Sequence, residues 1–552
     1  MAELAGPDGL VLEVEEYHDP WFHLAVELPS HLHRLLDAGE LPQLERLGRP
    51  RLLTAVPSFR MKGADGEETE EQMPNFVATI VDDDTGTNYQ LVGTTERIEA
   101  AELIGTESQA FVTPDEQDAA SRLIAADERF ARDIAAGTLQ VVPSMPGAVL
   151  GDGRDGRRTR LVTMALHRIG DEHNTFQPID VDIIEQVIAR IGREVATTCG
   201  VRDAGNQGNG SGTQLARATV RRGAEVLWEM VVARPSAQPQ PLDAGLSIRR
   251  VDYKGRRVLY RADTPIVNVK YDPPAFPASY RDWLNSEASF EANGIDAVPG
   301  YRLCPTPPTT LFDLDASGNY HAGGNFSGVS FHWEGEWVVL TSVMQAGWYR
   351  YRSVWRFHPD GTIAPTFGFS AVDNPATCRP HTHHCYWRFD FDIGTPGGNR
   401  VESRSVRLVP RPPWSPADPA IWETFPHLFS FTWTPVGSET RMTRHWLSAY
   451  RVSQIATGDA YVVYPGPHDG VADAGFGVGD VWVLQYHPTE DHDPAPGLDN
   501  AAHIDQFVNG ESTEDTDVVL WYAGHAYHDQ HHDELAGEHG HVVGPILRPD
   551  HW

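Results

Sequence analysis

Cysteine, cationic charge and long apolar runs are all scarce in this chain. Four cysteines, Cys199, Cys304, Cys378 and Cys385, are too few to staple 552 residues together, which excludes a disulfide scaffold, leaves one bridge open and makes the cytoplasm the expected compartment. No apolar run reaches the roughly 20 residues needed to cross a bilayer. The opening MAELAGPDGLVLEVEEYHDP has no basic start followed by an apolar stretch of signal length, so neither membrane insertion nor export is expected. With 44 Lys+Arg against 77 Asp+Glu the formal net charge is −33. Phosphate binding needs clustered Lys and Arg, so nucleic acid and anionic membrane are excluded as main partners. What is present is 40% hydrophobic and 10% aromatic residues with 41 prolines and 50 glycines, the composition of a globular, turn-rich protein. The length exceeds one ordinary domain and predicts two or three folded units.

The first 230 residues or so mix helical and strand patterns. Thr113-Pro114-Asp115-Glu116 reads as a helix start, with Thr113 as cap, Pro114 at the first helical position and Glu116 closing a capping box. The apolar face of Ala120, Leu123, Ile124 and Phe130 follows, and Gly137 ends the pattern. Ile183, Ile184, Val187, Ile188 and Ile191 have helical spacing, although their β-branched content also allows a strand. From about residue 226 the chain turns to short runs such as Trp337–Leu340, Tyr461–Tyr464, Val481–Leu484 and Val518–Trp521, separated by Gly-, Pro- and Asp-rich turns. This pattern predicts a large antiparallel β-sandwich. Residues 198–214 and 233–243, rich in Gly, Asn, Ser, Gln and Pro, read as loop and linker.

The densest chemistry lies in Arg379-Pro380-His381-Thr382-His383-His384-Cys385-Tyr386-Trp387-Arg388-Phe389-Asp390-Phe391-Asp392. On a strand, residues two apart share a face, so His381 and His383 present two imidazoles together while His384 points the other way. A third ligand must come from a distant segment, and Trp521-Tyr522-Ala523-Gly524-His525-Ala526-Tyr527-His528 ends a strand-like run that can deliver it. Three neutral imidazoles with open positions suit Cu(II), with Zn(II) as competitor. With 25 histidines in the chain, a polar strand end is the competing reading of the His-x-His pair.

These residues resemble the copper and topaquinone-dependent amine oxidases. His381, His383, Arg388, Asp390 and Asp392 fall at the spacing of that family's His-x-His and Arg-x-Asp-x-Asp strand, and Asp517, Trp521 and His528 reproduce the strand that carries its third copper histidine. The resemblance implies copper held by His381, His383 and His528. In Gly347-Trp348-Tyr349-Arg350-Tyr351, Tyr349 occupies the position of the tyrosine that becomes topaquinone, with Trp348 and Arg350 in place of the usual Asn and acid. Tyr271 matches a tyrosine that hydrogen-bonds the quinone. The position 14 residues later, where the family has its catalytic Asp, is Asn285, with Asp282 the nearby carboxylate. An amide does not abstract a proton as a carboxylate does. Asp390, Asp392 and Asp517 match positions where many members hold a second, structural cation such as Ca²⁺, and oxygen ligands suit a hard ion; buried acids paired with Arg388 are the competing reading.

The resemblance further implies a mixed fold: two small α+β N-terminal domains, at 1–105 and 106–225, followed by a β-sandwich catalytic domain at 226–552. It implies a homodimer acting on a small-molecule substrate and O₂. Three functions stay open at this point. One is a copper oxidoreductase whose O₂ chemistry has moved away from ordinary amine oxidation. The others are a conventional primary-amine oxidase giving aldehyde, H₂O₂ and ammonia, and a non-catalytic copper-binding protein.

Overall fold

The computed structural model describes residues 2–19, 28, 30–36, 47–57, 62, 76–94, 97–105, 112–153, 156, 158–168, 175–196, 212, 214–237, 245–271, 279–282, 287–310, 324–346, 349–371, 380–410, 427–445, 447–472, 479–488, 490, 502–528 and 541–552. Among these residues the predicted strand runs all lie in strands, and two large sheets dominate. Seven strands frame the site: β1 (Arg256–Tyr271), β2 (Ser279–Asp282), β3 (Trp337–Ala346), β4 (Tyr349–Phe357), β5 (Ile363–Ala371), β6 (His381–Phe391) and β7 (Val518–His528). In the first sheet Ser247–Tyr253, β1, β6, β7 and Val481–Gln485 are neighbours in that order, and β2 pairs with β1. The second sheet places β3, β4 and β5 side by side and runs on through Ile546–His551, Ala460–Tyr464 and Tyr450–Gln454.

The two sheets share one core, in which Trp387, Phe389 and Phe391 of the first pack with Tyr351, Trp355 and Phe367 of the second. Strand alternation explains why β6 is buried on both sides. Its odd-numbered residues from Cys385 to Phe391 face this core, while Tyr386 faces a second cluster with Trp482, Tyr486, Ile504, Phe507 and Trp521. Both faces of the histidine strand are therefore shielded from water, a low-dielectric setting for whatever polar groups it carries.

Two smaller sheets precede the bulk of the sandwich. One has the strands Pro50–Pro57, Phe76–Asp82, Thr87–Thr94 and Arg97–Gly105, and its core includes Leu28 and Leu32 from a helical stretch. The other has Leu139–Asp152, Arg158–Arg168, Thr175–Asp182 and Val187–Ile191, covered by α1 (Pro114–Ala126) and α2 (Ala131–Ala135). The capping box forms as predicted. The Thr113 hydroxyl accepts from the Glu116 N–H at 3.2 Å, and the Thr113 N–H donates to Glu116 Oε2 at 3.0 Å.

One open reading is resolved and one expectation differs. Of the two readings of Ile183–Ile191 the strand holds: a turn is followed by Val187–Ile191, paired with Thr175–Asp182. Gln186 takes the positive φ, 55°, that this turn needs, and the β-branched content prevails over the spacing. Residues 2–17, grouped with the first small domain, instead form strands of the large sheet. Leu10–Tyr17 pairs with Leu215–Arg222, and its Leu12 and Val14 are in the main core. Cys304 and Cys385 are free and buried; Cys199 and Cys378 lie outside the described residues. No described helix is long and apolar enough to cross a membrane.

Candidate metal centre

At its N-terminal end β6 turns His381 and His383 toward the second sheet and His384 away from it, as strand periodicity requires. The ladder between β6 and β7 sets His528 directly opposite His381, so the main chain itself delivers the third imidazole. His381 and His383 are buried and His528 is partly exposed. The Nε2 atoms of His381 and His383 are 3.0 Å apart, and Nδ1 of His528 is 3.3 Å from His381 Nε2. One imidazole nitrogen offers a single proton or a single lone pair. His381 Nε2 nonetheless has three polar neighbours, the third being the Tyr349 hydroxyl at 3.2 Å. Nitrogens that each lie about 2.0–2.1 Å from one ion are separated by roughly 3 Å, so the donor set fits a transition metal.

Tyr271 ends β1 beside His381 in the ladder, with ring centroids 4.7 Å apart. Tyr349 begins β4 in the facing sheet, and the two phenols hydrogen-bond to each other across the core. Tyr351, two residues on and hence on the same face, stacks on Tyr349 at 5.6 Å and donates its hydroxyl to Asp282 of β2. Burial first, and then the negative charge of Asp282, hold the Tyr351 phenol well above its ordinary pKa. Phe369 of β5 stacks on the His383 ring at 4.5 Å. Arg350, on the alternate face of β4, is buried, with Nη1 3.4 Å from the Tyr349 carbonyl. Trp348 and Asn285 lie outside the described residues.

No protein-family model matches the sequence, and no curated protein matches it. Solved structures do match along the whole chain. The copper-containing benzylamine oxidase of Hansenula polymorpha aligns over 99% of this chain and 98% of its own, at 12% identity and a TM-score of 0.62. The lysyl oxidase PPLO of Pichia pastoris aligns over 97% and 91%, at 12% identity and 0.57. An amine oxidase of Aspergillus nidulans aligns over 99% and 89%, at 16% and 0.54. The chain has the copper amine oxidase fold.

Within this amine oxidase fold the imidazole site and the aspartates Asp390, Asp392 and Asp517 sit on opposite faces of the same sheet. The three carboxylates do converge, each offering an oxygen within 4.8 Å of the others. Sequence alone did not reveal that the Lys62 ammonium stands among them, 2.5 Å from Asp390 and 2.8 Å from Asp392. Arg388, the partner weighed from sequence, reaches Asp390 at 3.3 Å. Burial pushes the Asp392 carboxyl up to about 6 and that of Asp517 up to about 8, against the pull of Lys62. Tyr351 was also missed, although its i, i+2 relation to Tyr349 was available as a signal. Lys62, 328 residues from Asp390, had none. His384 meets His525 on the outer face at 2.7 Å, and His525 lies 3.1 Å from Asp480. His525 is thereby separated from the imidazole triad, while His531, His532 and His539 lie outside the described residues.

Proposed function

We propose that this protein is a copper-dependent oxidoreductase of the amine oxidase type that consumes O₂. The observation that carries the reading is the convergence of three imidazole nitrogens, 3.0 and 3.3 Å apart, with a buried phenol 3.2 Å from one of them. His381, His383 and His528 would hold the ion through nitrogen ligands that suit Cu(II) better than a hard cation. Copper bound there supplies one-electron chemistry with O₂ and a route to oxidise the neighbouring phenol of Tyr349, the topaquinone position of the resemblance.

The chain's own side chains then perform three tasks. Tyr271 fixes the Tyr349 hydroxyl by a hydrogen bond and keeps its ring against the imidazoles. Phe369 and the stacked Tyr351 exclude water from the inner side. Asp282 accepts a hydrogen bond from the Tyr351 hydroxyl and offers a buried carboxylate within the tyrosine cluster. That carboxylate is placed at Tyr351 and not at Tyr349, and position 285 is an amide. We therefore read the proton transfer, and with it the O₂-dependent chemistry, as changed from that of ordinary primary-amine oxidation.

A second reading, conventional conversion of a primary amine to aldehyde, H₂O₂ and ammonia, is favoured by the Tyr271–Tyr349 bond and by the presence of Asp282. The mass of the peptide carrying Tyr349 separates the two, taken from protein loaded with copper in air and from copper-free protein kept anaerobic. A copper- and air-dependent gain of oxygen at Tyr349, with arylhydrazine labelling and steady amine turnover, selects the second reading. An unmodified tyrosine in copper-replete, O₂-consuming protein selects the first. Absence of copper-dependent O₂ consumption contradicts both. By resemblance the protein is a homodimer taking a small-molecule substrate.

A further inference from the structure

Asp390 lies on the outer face of β6, Asp392 immediately follows β6 and Asp517 immediately precedes β7, so pairing of the two strands gathers three carboxylates at one place. Buried carboxylates repel one another and lose hydration, so such a cluster is stabilised either by taking up protons or by a compensating cation. Oxygens from three acids arranged around one centre are the donor set of a hard divalent ion, which would lie about 2.3–2.6 Å from each.

The centre is taken by Lys62. Its Nζ lies 2.5 Å from Asp390 Oδ1, 2.8 Å from Asp392 Oδ1 and 2.9 Å from Asp517 Oδ2, and its side chain is 1% exposed. The ring faces of Tyr486 and Tyr260, 4.1 and 4.7 Å from Nζ, close further sides of the cage. An ammonium has three protons for three carboxylates, whereas a planar guanidinium pairs in two-pronged fashion with one. The composition fits this selection, since the chain has three lysines among its 44 Lys and Arg, and one of them is placed here.

We propose that Lys62 is the resident cation of this cage. It takes the place of a divalent ion, so the protein needs no second metal. Its three contacts also join position 62, which lies in sequence between the small-sheet strands Pro50–Pro57 and Phe76–Asp82, to the ends of the two strands that carry the imidazoles. The cage is nine residues along β6 from His381, about 30 Å at strand rise, and on the opposite face, so copper binding is separable from it. Calcium binding decides this assignment and copper binding decides the function, and the two fail independently.

The test uses the full-length, copper-loaded protein and the variants Lys62→Met and Lys62→Gln, with calcium titration calorimetry and thermal unfolding. Wild type is expected to give no binding heat with CaCl₂ and no change in Tm. Each variant is expected to unfold several degrees lower, to take up one Ca²⁺ per chain and to recover most of the lost Tm, with copper content unchanged. Uptake of one Ca²⁺ per chain by wild type with a rise in Tm overturns the assignment, and so does a folded variant that gains no response to calcium. The wild-type titration keeps the assignment falsifiable even if neither variant folds.

Discussion

At the scale of single residues, the site's chemistry turns on which groups touch Tyr349 and which touch its neighbour. The Tyr349 hydroxyl meets Tyr271 and His381, whereas Asp282 meets Tyr351. If Asp282 is the proton acceptor, Asp282→Asn lowers kcat for O₂ consumption by about 10²-fold or more, the usual range for loss of a general base, and leaves copper content unchanged. Equal rates for the two proteins would remove Asp282 from the chemistry. His383→Ala is expected to reduce bound copper from one per chain to near zero, as measured by atomic emission, because two nitrogens remain where three converge. The histidines were legible because a ligand pair two apart on a strand needs nothing but local periodicity, and His528 could be anticipated from the strand run preceding it. Lys62 and Tyr351 were not. Lys62 lies 328 residues from Asp390, so no local pattern links the two, and Tyr351 looks in sequence like one more aromatic core residue, which in part it is.

At the scale of elements, strand pairing and helix capping do most of the positioning. Because β6 and β7 pair from His381↔His528 to Phe391↔Val518, a one-residue slip of β7 would turn His528 away from the face that carries His381 and His383. The same ladder thus fixes the imidazole triad at one end and the Lys62 cage at the other. Glu116 shows how a local signal acquires a tertiary role. It closes the capping box of α1 and also binds Arg160 at 2.9 Å and Arg51 at 2.9 Å, joining the helix to both small sheets. Burial pushes its carboxyl up, but Arg160, Arg51 and the Thr113 N–H outweigh this and bring it down to about 2. Its pKa is lower folded than unfolded, so its contribution is full above the ordinary carboxyl range and is lost as pH falls from about 5 toward 2. Glu116→Gln is expected to cost about 3 kcal/mol at neutral pH, the scale of a broken buried ion pair, and to flatten the acid limb of stability in denaturant unfolding. The capping box was readable from four residues. The hairpin at Thr175–Ile191 was not, because its apolar spacing matches a helix and only pairing across the turn settles the difference. Nor was the capture of residues 2–17 by the large sheet, since strand partners more than 190 residues apart, Leu10–Tyr17 and Leu215–Arg222, leave no periodic mark.

At the scale of the whole molecule, two sheets close around a core that covers one face of the histidine strand, a second apolar cluster covers the other, and the imidazole triad lies between the sheets. The three imidazoles are held by main-chain pairing and by a core of large aromatic side chains rather than by the ion. Copper removal is therefore expected to leave the far-ultraviolet circular dichroism unchanged and to lower Tm only modestly; cooperative unfolding of the copper-free protein at room temperature would show that the ion, not the sandwich, organises the site. The architecture at large was legible from sequence because short aromatic and β-branched runs between turns have few other solutions, while partner choice among so many strands required the structure. The central claim, that three imidazoles of this fold hold copper, is tested most directly by electron paramagnetic resonance of protein reconstituted with one equivalent of Cu(II), alongside His383→Ala. One tightly bound Cu(II) per chain, with nitrogen hyperfine structure from three imidazoles that is lost in the variant, is the expected result. A wild-type spectrum identical to that of the variant, or weakly held copper displaced by equimolar zinc, would contradict it.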